Sequence, residues 1–359
     1  MHLIRLGVYA IVTAAVIALT VMPVSAETIW RLAIKDSIDG VEGIIVQRFA
    51  DLVEEYTDGE IKVQIFPNEQ LGASQATLEL LSVGAVTIYA EESSYLDRWA
   101  PDITWTSSPF MFDSRDHYIR FLQSDYFTEL IEQAEKQAGV TVLQPIGAML
   151  RGPYRVLLTT DPVNDYADVE GTKLRMWDQQ LIVDAWSHLG AEVRVLAWSD
   201  IYSSVQTGII EGMTSPVSAV EDMKFTEVAP YIARTNEFYQ SVDFMINADA
   251  LAALDEEERA AVQRAYLDAA EFSHSYTNEQ TAPSLERLQA SGATYVELDT
   301  APFVERMRSF YEDAAASGEL PQAFFDAVEA ARLIGVPDQS LPEFPGNDPF
   351  TQTSRVPLR

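Results

Sequence analysis

Short apolar runs alternate with runs of helical period along this chain, and the alternation is clearest between Arg151 and Pro216. There GPYRVLLTT, DVEGTKLRMW and GAEVRVLAW read as strands with their turns, while residues 178–189 and 199–207 repeat apolar side chains at helical spacing. The pattern constrains the chain to β/α units and so to an α/β fold. In open α/β sheets, ligands bind in the crevice beyond the carboxyl ends of the strands. Arg175 stands near the end of one such run. Its guanidinium is a planar, permanently charged fork that suits a carboxylate.

The rest of the chain follows the same scheme. Residues 28–34 read as a first strand ending at Lys35, and Asp39 is placed to cap a helix with Val41, Ile44, Ile45, Phe49, Leu52 and Val53 at helical spacing. Strands follow at 61–66 and 85–90 around a short helix over 74–82, and Glu91-Glu92-Ser93-Ser94 sits just past the third strand. On a strand, the two adjacent glutamates point opposite ways. Residues 101–112, with Trp105, Phe110, Met111 and Phe112, either pack the lobes together or wall a pocket. A helix is expected over 116–137, a strand over 140–146, and a helix capped by Ser199 over 199–207. Another helix runs from Pro216 to about Lys224, and residues 239–246 alternate as a strand that returns to the first lobe. Asp255 and Glu258 form a capping box that opens a long helix, which Pro283 should kink or end. Helices over 301–318 and 321–333 follow. Crossings near residues 151 and 239 make two lobes with a hinged cleft, an architecture that closes around small ligands. The expected division is a first lobe of 27–151 with 240–290, a second of 152–239 with 291–335, and a proline-bearing tail over 336–359.

Composition narrows the function classes. The 359 residues suit two domains, and a hydrophobic content of 47% supports a sizeable core. The chain has no cysteine, which excludes disulfides, thiolate metal sites and a cysteine nucleophile. Arg5, an apolar run over 6–22 and Pro23-Val24-Ser25-Ala26 read as a secretory signal peptide over 1–26, with a membrane anchor as the alternative. The net charge is −31, and removal of 1–26, whose only charged side chain is Arg5, leaves −32. That acidity argues against nucleic-acid and anionic-membrane partners. It leaves a buried anion site open, because local groups decide such a site and salt screens the rest beyond about 8 Å. No G-x-S-x-G, Walker or G-x-G-x-x-G string occurs. His117, His188 and His274 lie in helix-like stretches without metal-ligand spacing and are expected at exposed positions. No catalytic residue, metal or cofactor is expected.

One ordered set of motifs resembles a known family. Gly171-Thr-Lys-Leu-Arg175, Leu189-Gly190-Ala191, Trp198-Ser-Asp-Ile-Tyr202, Gln206-Thr207-Gly208-Ile-Ile-Glu211-Gly212 and Pro216 look like the solute-binding proteins of tripartite ATP-independent periplasmic (TRAP) transporters. The likeness runs from Trp30 to about Ala331. It departs at Met213-Thr214-Ser215, where the family often has Gln-Glu-Asn. The resemblance implies a two-lobed periplasmic-binding-protein fold with long lobe-spanning helices. It also implies a monomer that captures a small organic anion, expected to be a carboxylate, and hands it to the TRAP membrane subunits without performing a reaction.

By the same resemblance, Arg175 binds the carboxylate, with Arg155 as a second arginine and Arg151 as its fallback. Trp198 stacks on the ligand, and Trp177 is a further wall. Glu91 meets polar ligand groups, Lys35 takes a position that relatives often fill with asparagine or glutamate, and Ser215 supplies a hydroxyl. Lys35, Arg155 and Arg175 would then set three positive charges against one negative, from Glu91. The rival readings are a zwitterion or sulfonate binder, the binding protein of an ATP-driven importer and, more remotely, a secreted hydrolase.

Overall fold

Two mixed sheets form where the sequence alternates strands with amphipathic helices. The structure, a computed structural model, describes residues 27–333; the expected signal peptide and tail lie outside the described residues. The first sheet contains β1 (Thr28–Ala33), β2 (Ile61–Phe66), β3 (Ile88–Glu91), β4 (Val140–Val142), β5 (Met149–Leu150) and β11 (Ser241–Asn247). Its order is β2-β1-β3-β11-β4, with β5 on β11. The second contains β6 (Arg155–Thr159), β7 (Lys173–Met176), β8 (Glu192–Val195), β9 (Gly212–Pro216), β10 (Tyr231–Arg234) and β12 (Thr294–Glu297), in the order β12-β10-β6-β9-β7-β8. The chain passes to the second sheet between β5 and β6 and returns between β10 and β11.

Packing follows the two periodicities. Trp30 and Leu32 of β1 are buried against Ile45, Phe49, Leu52 and Val53 of α1 (Val41–Tyr56), with Phe49 edge-on to Phe244 at 4.7 Å. Burying each of these side chains is worth about 1.5–3 kcal/mol. α2 (Ser74–Ser82), α3 (Arg115–Leu122) and α4 (Asp125–Ala138) cover the other face. The expected single helix over 116–137 is therefore two. Ser124 breaks the run because its hydroxyl accepts the Phe127 N–H and starts a new helix.

In the second lobe lie α5 (Gln180–His188), α6 (Ile201–Gln206) and α7 (Val217–Asp222); α8 (Ala248–Ala252) follows β11. Trp105, Phe110, Met111 and Phe112 are buried in one cluster with Trp177, Trp186 and Phe303, so the aromatic stretch packs the lobes together.

α9 (Glu256–Ala290) opens with the expected capping box and runs 35 residues. Pro283 does not end it. α1 packs along the helix and α7 packs on it as well, and this tertiary support carries the turn where proline removes a hydrogen bond. α10 (Ala301–Ser317) packs on α5. α11 (Gln322–Leu333), expected with the second lobe, instead packs on α3 and α4, with Phe324 against Phe121 at 4.9 Å. No helix among the described residues is long and apolar enough to cross a membrane.

Two expected caps are corrected. Asp39 does not cap α1: Gly40 is the N-cap, and the Val41 N–H donates to Asp222 of α7 at 2.9 Å. Ser199 does not cap α6: its backbone N–H and hydroxyl both donate to Glu69 of the other lobe, at 3.0 and 2.7 Å.

Candidate functional site

Strand ends from both sheets converge between the lobes. β1 delivers Lys35 and Asp36, β3 delivers Glu91 and Glu92, and β7 delivers Arg175 and Trp177. Trp198 follows β8, and Thr214 and Ser215 end β9. Arg151 and Arg155 lie at the first crossing, and Glu237 and Gln240 at the return crossing.

On the first-lobe side, Lys35 Nζ lies 2.6 Å from Glu91 Oε2. Arg151, the fallback arginine, is buried and joins Glu91 to Glu42, reaching the latter at 2.9 Å. Burial pushes the Glu91 carboxyl up, but Arg151 and Lys35 outweigh it and hold the group below its usual range. Burial raises Glu42 well above the usual carboxylate range and Asp36 above it, against the opposing pull of Arg151. Glu92 turns away from this cluster. It accepts from Gln240 at 3.1 Å and from the Tyr118 hydroxyl at 3.2 Å, and burial pushes its carboxyl up to about 7.

Arg155 is held on every side. Its Nε donates to Glu237 at 2.7 Å, Nη1 to the Gln240 side-chain oxygen and Nη2 to Thr214 Oγ1 at 2.8 Å. The guanidinium lies 4.4 Å from the Phe238 ring and 5.8 Å from Trp177. Trp177 donates its indole N–H to Gln179 at 3.0 Å, and Gln179 in turn reaches the Ser94 carbonyl of the first lobe at 3.3 Å. Trp177 thus attends Arg155 and the lobe contact.

Arg175 differs. It is 5% exposed, and its Nε donates to the Leu196 carbonyl at 2.8 Å. No carboxylate among the described residues forms an ion pair with it. Its guanidinium lies 5.6 Å from the Trp198 ring, and Lys35 Nζ lies 5.5 Å from the same ring, so the indole stands beside a cation from each lobe. Burial lowers the Arg175 pKa to about 10, which leaves the group charged at neutral pH.

The structure therefore gathers Lys35, Glu91, Arg175 and Trp198, and places Arg155 with Trp177 beside them. Ser215 is buried, and its hydroxyl donates to the Pro216 carbonyl at 2.9 Å, so that hydrogen bond is spent locally. Sequence reading missed Glu237, Gln240, Thr214, Glu42 and Asp36. The expected tally of three positive charges against one is corrected: Arg155 is paired with Glu237, and Lys35 shares Glu91 with Arg151, a fourth cation that the tally left out. The histidine expectation is corrected as well. His117 and His274 are 1% and 8% exposed and bond the carbonyls of Val328 and Ala148, each at 2.8 Å; His188 bonds the Arg306 carbonyl at 3.0 Å. Among the described residues, no group of three or more His, Cys, Asp or Glu side chains is placed to hold a metal ion.

Two α/β lobes that meet over a buried guanidinium with no carboxylate partner among the described residues have the architecture of a solute-binding protein. Residues 37–317 match the model of the bacterial extracellular solute-binding proteins, family 7, and the chain belongs to this DctP-type family of TRAP transporter binding proteins. The chain is 30% identical over 256 residues to the solute-binding protein RD1_1052 of Roseobacter denitrificans (strain ATCC 33942 / OCh 114), covering 71% of this chain and 77% of that one. It is 27% identical over 317 residues to the ectoine/5-hydroxyectoine-binding periplasmic protein UehA of Ruegeria pomeroyi, covering 87% and 90%. The solved structure of RD1_1052 with bound L-galactonate superposes with a TM-score of 0.76 at 26% identity, over 85% of this chain and 99% of that one. A TRAP periplasmic binding protein of Ochrobacterium anthropi with bound L-fuconate superposes with a TM-score of 0.78, over 85% and 99%; at 20% identity this likeness is one of fold.

Proposed function

We propose that this protein captures a sugar acid in the periplasm, through its carboxylate, and delivers it as a monomer to a TRAP permease. The observation that carries the reading is Arg175, which is buried and charged without an anionic partner among the described residues. An unpaired buried charge is costly, and a ligand carboxylate would remove that cost. Trp198 would form the wall beside it, and the Lys35–Glu91 pair would meet hydroxyls. The sugar acids in solved structures of TRAP binding proteins, L-galactonate in RD1_1052 among them, support the ligand class. Micromolar capture needs about −8 kcal/mol, within reach of one buried ion pair, several hydrogen bonds and an aromatic wall.

Calorimetry with L-galactonate, L-fuconate and D-glucuronate, with ectoine as the zwitterionic control, tests the reading. At least one sugar acid should bind, and Arg175→Ala should weaken it by about 2–5 kcal/mol, roughly thirty-fold to several thousand-fold, while circular dichroism stays unchanged. Wild-type affinity in the variant would remove Arg175 as the anchor, and binding of ectoine alone would replace the sugar-acid reading.

A further inference from the structure

We infer that Glu69 is a positioning residue of the ligand site: from the first lobe it holds Ser199 of the second, and so fixes Trp198 and the Leu196 carbonyl around Arg175 while the lobes are together. This role rests on the reading of Arg175 as the ligand's anchor and concerns how long a bound anion is retained.

Residues 196–199 follow β8 and carry three parts of the site. The Leu196 carbonyl accepts the Arg175 Nε–H at 2.8 Å. The Trp198 ring lies 5.6 Å from the Arg175 guanidinium and 5.5 Å from Lys35 Nζ, and it rests edge-on against Phe225 at 5.2 Å. Its buried indole N–H has no partner among the described residues. The Ser199 N–H and hydroxyl both donate to one oxygen of Glu69, Oε2, at 3.0 and 2.7 Å. Glu69 stands between β2 and α2 of the first lobe, so these two hydrogen bonds cross the cleft.

The first-lobe end of the tie is built on the segment that delivers Lys35. The Glu69 N–H donates to the Ile34 carbonyl at 3.3 Å and the Asn68 N–H to the Asp36 carbonyl at 3.1 Å, one on each side of Lys35. Asn68 and Glu69 both have left-handed backbones, with φ of 56° and 54°. That conformation is unfavourable for residues with a Cβ and persists where the surroundings hold it, commonly at functional sites. One turn therefore fixes Lys35 on its own lobe and reaches across to the neighbour of Trp198. Opening the lobes breaks both Ser199 bonds and lets Leu196 and Trp198 leave with the second lobe. A charged acceptor strengthens each bond, while the solvent-exposed position keeps the pair modest, so the tie lengthens residence and leaves capture to Arg175.

Stopped-flow release and calorimetry with L-galactonate, L-fuconate or D-glucuronate test the role. Glu69→Ala should quicken release roughly three- to thirtyfold and weaken affinity by the same factor, with association and the melting of the unliganded protein unchanged. Glu69→Gln keeps an oxygen that accepts from both donors and should recover most of the residence time. Ser199→Ala keeps the N–H and should quicken release less than Glu69→Ala, and the two changes together should do no more than Glu69→Ala alone. Unchanged release in Glu69→Ala, or a double variant in which the two effects multiply, overturns the inference. If none of the three acids binds the wild type, the sugar-acid reading fails by itself, and the tie is decided without a ligand. The chain has no cysteine, so Glu69→Cys with Ser199→Cys offers a single pair to a short thiol-bridging reagent. A bridged protein with a smaller radius of gyration than the unbridged one supports the role; a pair that the reagent cannot bridge overturns it.

Discussion

Glu92 and His117 are buried titratable side chains that push the pH dependence of stability in opposite directions. Burial raises the Glu92 carboxyl from 4.5 to about 7, so the folded protein holds a proton there that the unfolded chain has already lost. Its contribution is fully present below about 4.5 and is lost as pH rises through 7, on the order of 3 kcal/mol in all. His117 accepts the Asp113 N–H on Nδ1 and bonds the Val328 carbonyl through Nε2, and burial lowers it from 6.5 to about 4. Its contribution is present above 6.5 and fades as pH falls toward 4. The two offset each other between about 4.5 and 6.5.

Glu92→Gln should therefore be more stable than wild type above pH 7 and should lose stability more steeply on acidification below 6.5. Melting curves across pH check this, and a profile parallel to wild type would count against the raised carboxyl. At this scale Arg175 was legible because its strand and motif surround it in sequence. Glu237 and Gln240 were not. They meet Arg155 across 82 and 85 residues, and nothing in the local spacing of TNEFYQ announces a buried ion pair.

The same distinction separates legible from illegible elements. Strands β1, β2, β6 and the capping box of α9 follow from local pattern, and the structure has them close to where pattern put them. The start of α1 does not, because its cap comes from 181 residues away. Gly40 leaves room for it: a Cβ there would sit 2.6 Å from Asp222 Oδ2. A carboxylate at a helix N-terminus satisfies an orphan N–H and complements the helix dipole. Here it also joins the lobes, so it holds only while they are together. Asp222→Ala should weaken ligand affinity by about 0.5–2 kcal/mol, the usual worth of a cap, and leave the melting of the unliganded open form nearly unchanged. Gly40→Ala should do the same by displacing the carboxylate. Small-angle scattering at saturating ligand should show a larger share of expanded molecules in both variants; equal affinity and equal profiles would show that the contact does not bear on closure.

For the whole molecule, the surface and the cleft carry opposite messages to an anion. The chain has a net charge of −31, while the cleft offers Arg175 uncompensated. An approaching organic anion is repelled at long range and attracted only once inside. Salt acts on the two unequally: at physiological ionic strength the Debye length is about 8 Å, which shortens the surface field, whereas a pair buried from water is screened much less. Stopped-flow association should therefore accelerate modestly from low to moderate ionic strength, and dissociation should change less. Arg175→Ala should keep the sign of the salt effect on association while dissociation quickens, since the repulsion belongs to the surface and the retention to the cleft. If association instead slows steeply with salt, the cleft's positive field reaches out past the acidic surface, and steering rather than repulsion governs capture.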